Sequence, residues 1–174
     1  LITHCVFSFG AARESRLDTM YEDKMKVASP ESVGPLFPEN IAKPGEKRVP
    51  PSFTQHFDVG FVNGNYPFSG SDDPYMELWV KHKDAAARAA TALVALADMP
   101  PPAIFPAFKG FAPISSMSWM FNILTDDLTN ESGWWLMGTY AEHARQGYSS
   151  QNMTIYNDQG ELVVVGRQNI AIFY

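Results

Sequence analysis

Two side chains in the second half of this chain could between them handle a water molecule. Asp98 closes an alanine-dense run and is flanked by Ala97 and Met99. A carboxylate at the C-terminal end of a helix faces the negative end of the macrodipole. Its presence there, against local preference, points to a task, although a solvated helix end is the plainer reading. Gln168 lies between Arg167 and the apolar Ile170-Ala-Ile172 segment. Its carboxamide can accept from water and donate to another oxygen, which suits a positioning role. The plainer reading is a polar residue at a strand edge. Other hydrolytic chemistries find little footing, since the chain has no Gly-x-Ser-x-Gly elbow and its four histidines lack metal-ligand spacing. No metal site or cofactor is expected. His143 follows Glu142 near the end of a strand and reads better as a partly exposed structural residue than as a general base, and His56 and His82 have no visible partner.

The elements that must position these residues are legible from periodicity and turn chemistry. Leu1 to Gly10 is rich in β-branched and aromatic residues and reads as a strand. Between Arg13 and Pro51 prolines 30, 35, 38, 44, 50 and 51 break every pattern. That stretch reads as linker, with one short helix near Asp18 to Val27. Strands are expected at Phe53 to Val62 and Tyr75 to Lys81, as an antiparallel pair with a turn signal at Asn63-Gly64. A helix is expected from an Asp84 N-cap through Ala97, stopped by Pro100 to Pro102. Strands follow at about Ser115 to Leu124, Trp134 to Arg145, Tyr148 to Tyr156 and Leu162 to Phe173, with Asn157 to Gly160 a hairpin turn between the last two. Two strands, a helix of small residues and four antiparallel strands make an α+β unit.

Composition sets limits. The chain has 174 residues, 45% of them hydrophobic, ample for one core and marginal for two. A net charge of -6 leaves no electrostatic footprint for nucleic acid or an anionic membrane, and no segment reaches the ~20 apolar residues of a membrane span. The single cysteine, Cys5, reads as a buried small apolar residue in a reducing compartment. A cytoplasmic location is therefore expected, with the peroxisome or another organelle left open. The glycosylation triplets at Asn130 and Asn152 are short enough to arise by chance.

The runs Ala95-Leu-Ala-Asp98-Met-Pro-Pro-Pro102, Pro113-Ile-Ser-Ser-Met-Ser-Trp-Met-Phe121, Gly133-Trp-Trp-Leu-Met-Gly-Thr-Tyr-Ala-Glu-His143, Gly147-Tyr-Ser-Ser-Gln151 and Val165-Gly-Arg-Gln168-Asn-Ile-Ala-Ile172 have an informative order. In that order and spacing the chain resembles the C-terminal hot-dog domain of the acyl-CoA thioesterase II type, from about Phe53 to Tyr174. The resemblance implies a hot-dog fold, an antiparallel sheet wrapped around a central alanine-rich helix, within a double hot-dog. It divides the chain into residues 1–12, the last strand of an incomplete N-terminal hot-dog domain, or else simply an edge strand of a single complete domain; a linker, 13–52; and a C-terminal hot-dog domain, 53–174. It also implies thioester hydrolysis of acyl-CoA or carrier-bound acyl groups by direct water attack. Asp98 would hold the water, and Gln168 would be its partner.

The family's third site residue, a threonine or serine, aligns here with Ile114. Ser116, on the same strand face by alternation, replaces that hydroxyl only if the strand register slips. By the same resemblance Trp119, Trp134, Trp135, Met117, Met120 and Met137 either line an acyl tunnel or fill the core. Lys81, Lys83, Arg88, Lys109 and Arg167 either meet CoA phosphates or are solvated surface charges. The expected partner besides substrate is a second hot-dog unit, as a dimer or as the missing N-terminal half. The alternative of a different class is a non-catalytic hot-dog module that binds an acyl or polyketide-like group or serves dimerisation. A hydratase is a lesser reading, because no close Asp and His pair is present.

Overall fold

The computed structural model describes residues 3–11, 14, 29–36 and 51–174. Six strands form one antiparallel sheet: β1 (Phe57–Gly64), β2 (Tyr75–His82), β3 (Ile114–Ile123), β4 (Trp135–Arg145), β5 (Tyr148–Tyr156) and β6 (Leu162–Ile172). Their order across the sheet is β1-β2-β4-β5-β6-β3. One α-helix, α1 (Ala90–Ala97), lies against its inner face. This is the α+β hot-dog arrangement that the resemblance implied.

The inner face is built by alternation. Leu78 and Val80 of β2, Met137 of β4, Ile155 of β5 and Val164 of β6 are all fully buried and pack with Leu93, Leu96 and Ala97 of the helix. Eight residues are too few for a helix to stand alone in water, so α1 owes its existence to that contact. Only the first half of the expected helix departs from the reading. Residues 85–89 are turn and irregular backbone rather than helix, and Asp84, expected as the N-cap, instead accepts from the Ala86 N–H at 2.9 Å. The helix begins after Ala89, which has no side-chain cap. An alanine run has helix propensity but no apolar side chain long enough to anchor it, so helix forms only where Leu93 and Leu96 reach the sheet. Leu96→Ala should therefore lower stability by about 2–5 kcal/mol, while Val94→Ala, on the exposed side, should change it little. Denaturant midpoints of the two variants check this.

Two strand expectations are corrected. Residues 53–56 belong to a 3-10 helix, Ser52–His56, in which the Thr54 hydroxyl bonds the Pro51 carbonyl at 2.8 Å, so β1 starts at Phe57. Residues 3–11 form no strand and are exposed, Cys5 among them rather than buried, since none of the described residues offers them a ladder to pair with. The expected helix at 18–27 lies outside the described residues. Within the expected linker, residues 33–36 are structural: Val33 packs on the outer face with Trp79 and Leu136, and Leu36 joins the inner core. Between them the Gly34 carbonyl accepts from the Phe61 N–H at 2.7 Å, and a side chain at Gly60 would collide with Val33 at 2.2 Å. The segment thus covers the β1 edge of the sheet. At the opposite edge, β3 pairs with no further described strand and exposes Met117 and Met120.

The long strands follow the sequence closely. β5 has the expected bounds. Gln146 and Gly147, both at positive φ (54° and 80°), close the β4–β5 hairpin in the two-residue form that suits sheet twist. At the β5–β6 hairpin Asn157 Oδ1 accepts from the N–H groups of Gln159 and Glu161. Among the described residues no helix is long and apolar enough to cross a membrane.

Candidate active site

The residues after α1 shape the site. Asp98 caps the helix in near-helical conformation, and buried Met99 is followed by three prolines that cannot continue it. The chain then turns onto the sheet, where Ala103, Ile104, Phe108 and Ala112 pack against Ala141 of β4 and Ile170 of β6. Asp98 and the proline turn become one wall of a small cleft. The strands supply the other wall: Trp119 of β3, Thr139 of β4, Gln151 and Met153 of β5, and Gln168 of β6. The cleft's free volume, about 20 Å³, admits roughly one ordered water.

Asp98 is open to solvent on one side, yet its burial against the cleft raises its pKa above the ordinary carboxylate value. Gln168 is half-buried and engaged at both ends of its carboxamide. Its Oε1 accepts from Gln151 Nε2 at 2.7 Å, and its Nε2 donates to Ser116 Oγ at 3.0 Å. Gln151 is itself buried, and its Oε1 accepts from the Ala103 backbone N–H at 2.9 Å. Trp119 donates its indole N–H to Met153 Sδ at 3.2 Å, fixing the ring at the cleft. The Thr139 hydroxyl is buried with no hydrogen-bond partner among the described residues.

Asp98 and Gln168 are thus brought to one cleft, and Ser116 touches Gln168. The geometry of β3 explains the serine. Strict alternation would orient Ser116, Ser118 and Met120 alike, but a bulge between Ser116 and Ser118 inserts Met117 into the pairing with β6. Past the bulge the faces exchange, so Trp119, opposite Gln168, shares the cleft face with Ser116. Ile114 packs into the apolar cluster around Ile170 and has no polar role. Gln151 and Thr139 were not singled out from sequence. The signal for Gln151 was its place in the alternation Ser149, Gln151, Met153, Ile155, all buried.

Of the other candidates, some are held in structural contacts and the rest are exposed. His82 Nε2 lies 2.8 Å from the Ala92 carbonyl, and His143 is exposed. Met137 is core and Trp135 lies at its border, whereas Met117 and Met120 are exposed. Among the cations, Lys81 sits 5.7 Å over the Trp134 ring, and Lys83 is 3.9 Å from Asp58. Arg88 donates to the Ala85 and Asn130 carbonyls, Arg167 pairs with Glu142, and Lys109 is exposed. Asn130 is buried and ties its own loop through Trp134, Ser132 and Gly133.

Comparison with known proteins bears on the family and the fold. A family model described as acyl-CoA thioesterase C-terminal domain matches residues 30–172. No curated protein matches. Among solved structures, a hot-dog protein of unknown function from Alicyclobacillus acidocaldarius superposes with a TM-score of 0.72 at 17% identity, over 93% of this chain and 59% of that one. The tesB protein of Mycobacterium avium subs paratuberculosis gives 0.64 at 15%, over 88% and 56%. The acyl-CoA thioesterase II TesB2 of Mycobacterium marinum gives 0.59 at 14%, over 92% and 59%. The chain spans less than two thirds of each of these proteins, and at such identities the likeness shows the fold.

Proposed function

The chain belongs to the acyl-CoA thioesterase C-terminal domain family, and from that premise we propose that it hydrolyses acyl thioesters, on CoA or on a carrier, by direct attack of a water held at Asp98. The observation that carries this reading is the shared cleft: the Asp98 carboxylate and the Gln168 carboxamide, from distant parts of the chain, flank a space of about one water. Asp98 takes a proton from the water as its oxygen adds to the thioester carbonyl. Gln168 and Ser116 position the reacting oxygens. The tetrahedral intermediate then expels the thiolate, a good leaving group that makes a covalent enzyme intermediate unnecessary.

The raised pKa of Asp98 has a kinetic consequence. The base works only as carboxylate, so turnover should fall as pH drops through the pKa of Asp98. Because burial raises that pKa, the acid limb of kcat/KM should lie above the pH at which an exposed aspartate titrates. A limb at the ordinary aspartate position would argue against Asp98 as the base.

The sheet edges support a reading of assembly. Residues 33–36 cover β1 and no further described strand pairs with β3, so a second hot-dog unit, supplied by an N-terminal domain to which residues 1–12 contribute or by another copy, would pair along β3. The direct test of the activity is thiol release from acyl-CoA and acyl-pantetheine substrates of graded chain length. Hydrolysis of one class supports the reading. Tight binding without release across the series would turn it into a non-catalytic acyl-binding module.

A further inference from the structure

We propose that Gln151 is a positioning residue that fixes the polarity of the site, so that Gln168 and Ser116 serve it only as hydrogen-bond donors; this rests on the thioesterase reading above. The inference begins at a group that cannot reverse. The Ala103 N–H is a backbone donor, held in a fully buried residue behind three consecutive prolines. It meets Gln151 at 2.9 Å, and only the carboxamide oxygen can accept there. Turning Gln151 over would set two donors face to face in a buried place, leaving both unsatisfied.

From that fixed point each partner is determined in turn. With its oxygen spent on Ala103, Gln151 offers its NH2 to Gln168, whose oxygen must therefore face it, at 2.7 Å. Gln168 is left with its NH2 toward the rest of the site. One N–H goes to Ser116 Oγ at 3.0 Å, and the other is available. Because Ser116 accepts that bond, its own hydroxyl proton is directed away from Gln168, to a further acceptor. A carboxylate that accepts and an amide with a hydroxyl that donate are the two halves needed by a water losing a proton and a carbonyl oxygen gaining charge. Reversed, the amide would present an oxygen to a developing oxyanion. Among the described residues lining the cleft, Asp98 is the one ionisable side chain, and the neighbours of Gln151 across the strands, Ala141 and Gln168, are uncharged.

Gln151→Glu tests this sharply, because a carboxylate keeps the acceptor for Ala103 but has no donor for Gln168. Gln168 must then turn its NH2 toward residue 151. When the introduced carboxylate is protonated its O–H restores the donor, and the original polarity returns. The kcat of Gln151→Glu relative to wild type at the same pH should be reduced about tenfold or more at neutral pH. It should recover as pH falls, with KM nearly unchanged, whereas Gln151→Met should show a loss independent of pH. In parallel, side-chain N–H resonances of Gln168 in glutamine-labelled protein, assigned by their absence in Gln168→Ala, should move in Gln151→Glu and return toward wild type on acidification. A kcat ratio flat in pH, or Gln168 resonances indifferent to residue 151, overturns the proposal. If wild type hydrolyses no thioester, the activity reading fails, while the resonances still decide the role of Gln151. Should Gln151→Glu not fold, the shift of the Gln168 resonances in Gln151→Met decides it.

Discussion

Asp98→Asn should lower kcat by ~10²-fold or more, the usual size of a lost general base, with KM little changed. Asparagine keeps the shape and the cleft but cannot take a proton from water. The variant should be at least as stable as wild type near neutral pH, and the sign is informative. Burial raises the pKa of Asp98 in the folded protein, so between the unfolded and folded pKa values the native state binds more protons than the unfolded one. Stability is fully present below that window and lost as pH rises through it. At neutral pH the charge is therefore a burden on the fold, increased by its position at the helix C-terminus. Removing it costs nothing. Steady-state kinetics and thermal unfolding of the same preparation separate the two effects, and unchanged turnover would move the assignment away from Asp98.

Gln168→Ala should also lower kcat by about 10²-fold, comparable to deleting one oxyanion donor. Unlike the aspartate change it should cost stability, about 1–3 kcal/mol, because the Nε2 of buried Gln151 loses its acceptor. Gln168→Glu distinguishes the two roles. A carboxylate can still accept from Gln151 and from the Ser116 hydroxyl, so the variant should fold well, yet it has no N–H to give and should remain slow. Kinetics together with denaturant unfolding would show the separation; a Gln168→Glu variant as active as wild type would remove the donor role.

The strands from Trp135 onward were readable because their alternation is long and their turns carry specific chemistry, as at Asn157. The helix start was not, since propensity favours helix throughout residues 85–97 while packing rewards only the part that reaches the core through Leu93 and Leu96. The segment at 33–36 resembled linker because its value lies in Val33 and Leu36 touching opposite faces of the sheet, which no local pattern reports. Asp98 and Gln168 stood out through their chemistry and position, and the structure brings both to one cleft. Whether Ser116 could join them was not legible, because a bulge at Met117 changes the face of every later residue and leaves no mark in an alternating sequence. Gln151 was not singled out, because nothing local marks its role: its partner is a backbone N–H 48 positions away, set there by the proline turn.

Single-turnover hydrolysis in H₂¹⁸O, with the protein in excess over an acyl-CoA that it turns over, addresses the water at Asp98 most directly. Direct attack places one ¹⁸O in the acid released in the first turnover and leaves the peptide containing Asp98 unlabelled. Label appearing in the Asp98 side chain, with unlabelled acid released, would instead mean that Asp98 attacks the carbonyl itself, and would contradict a water held for direct attack.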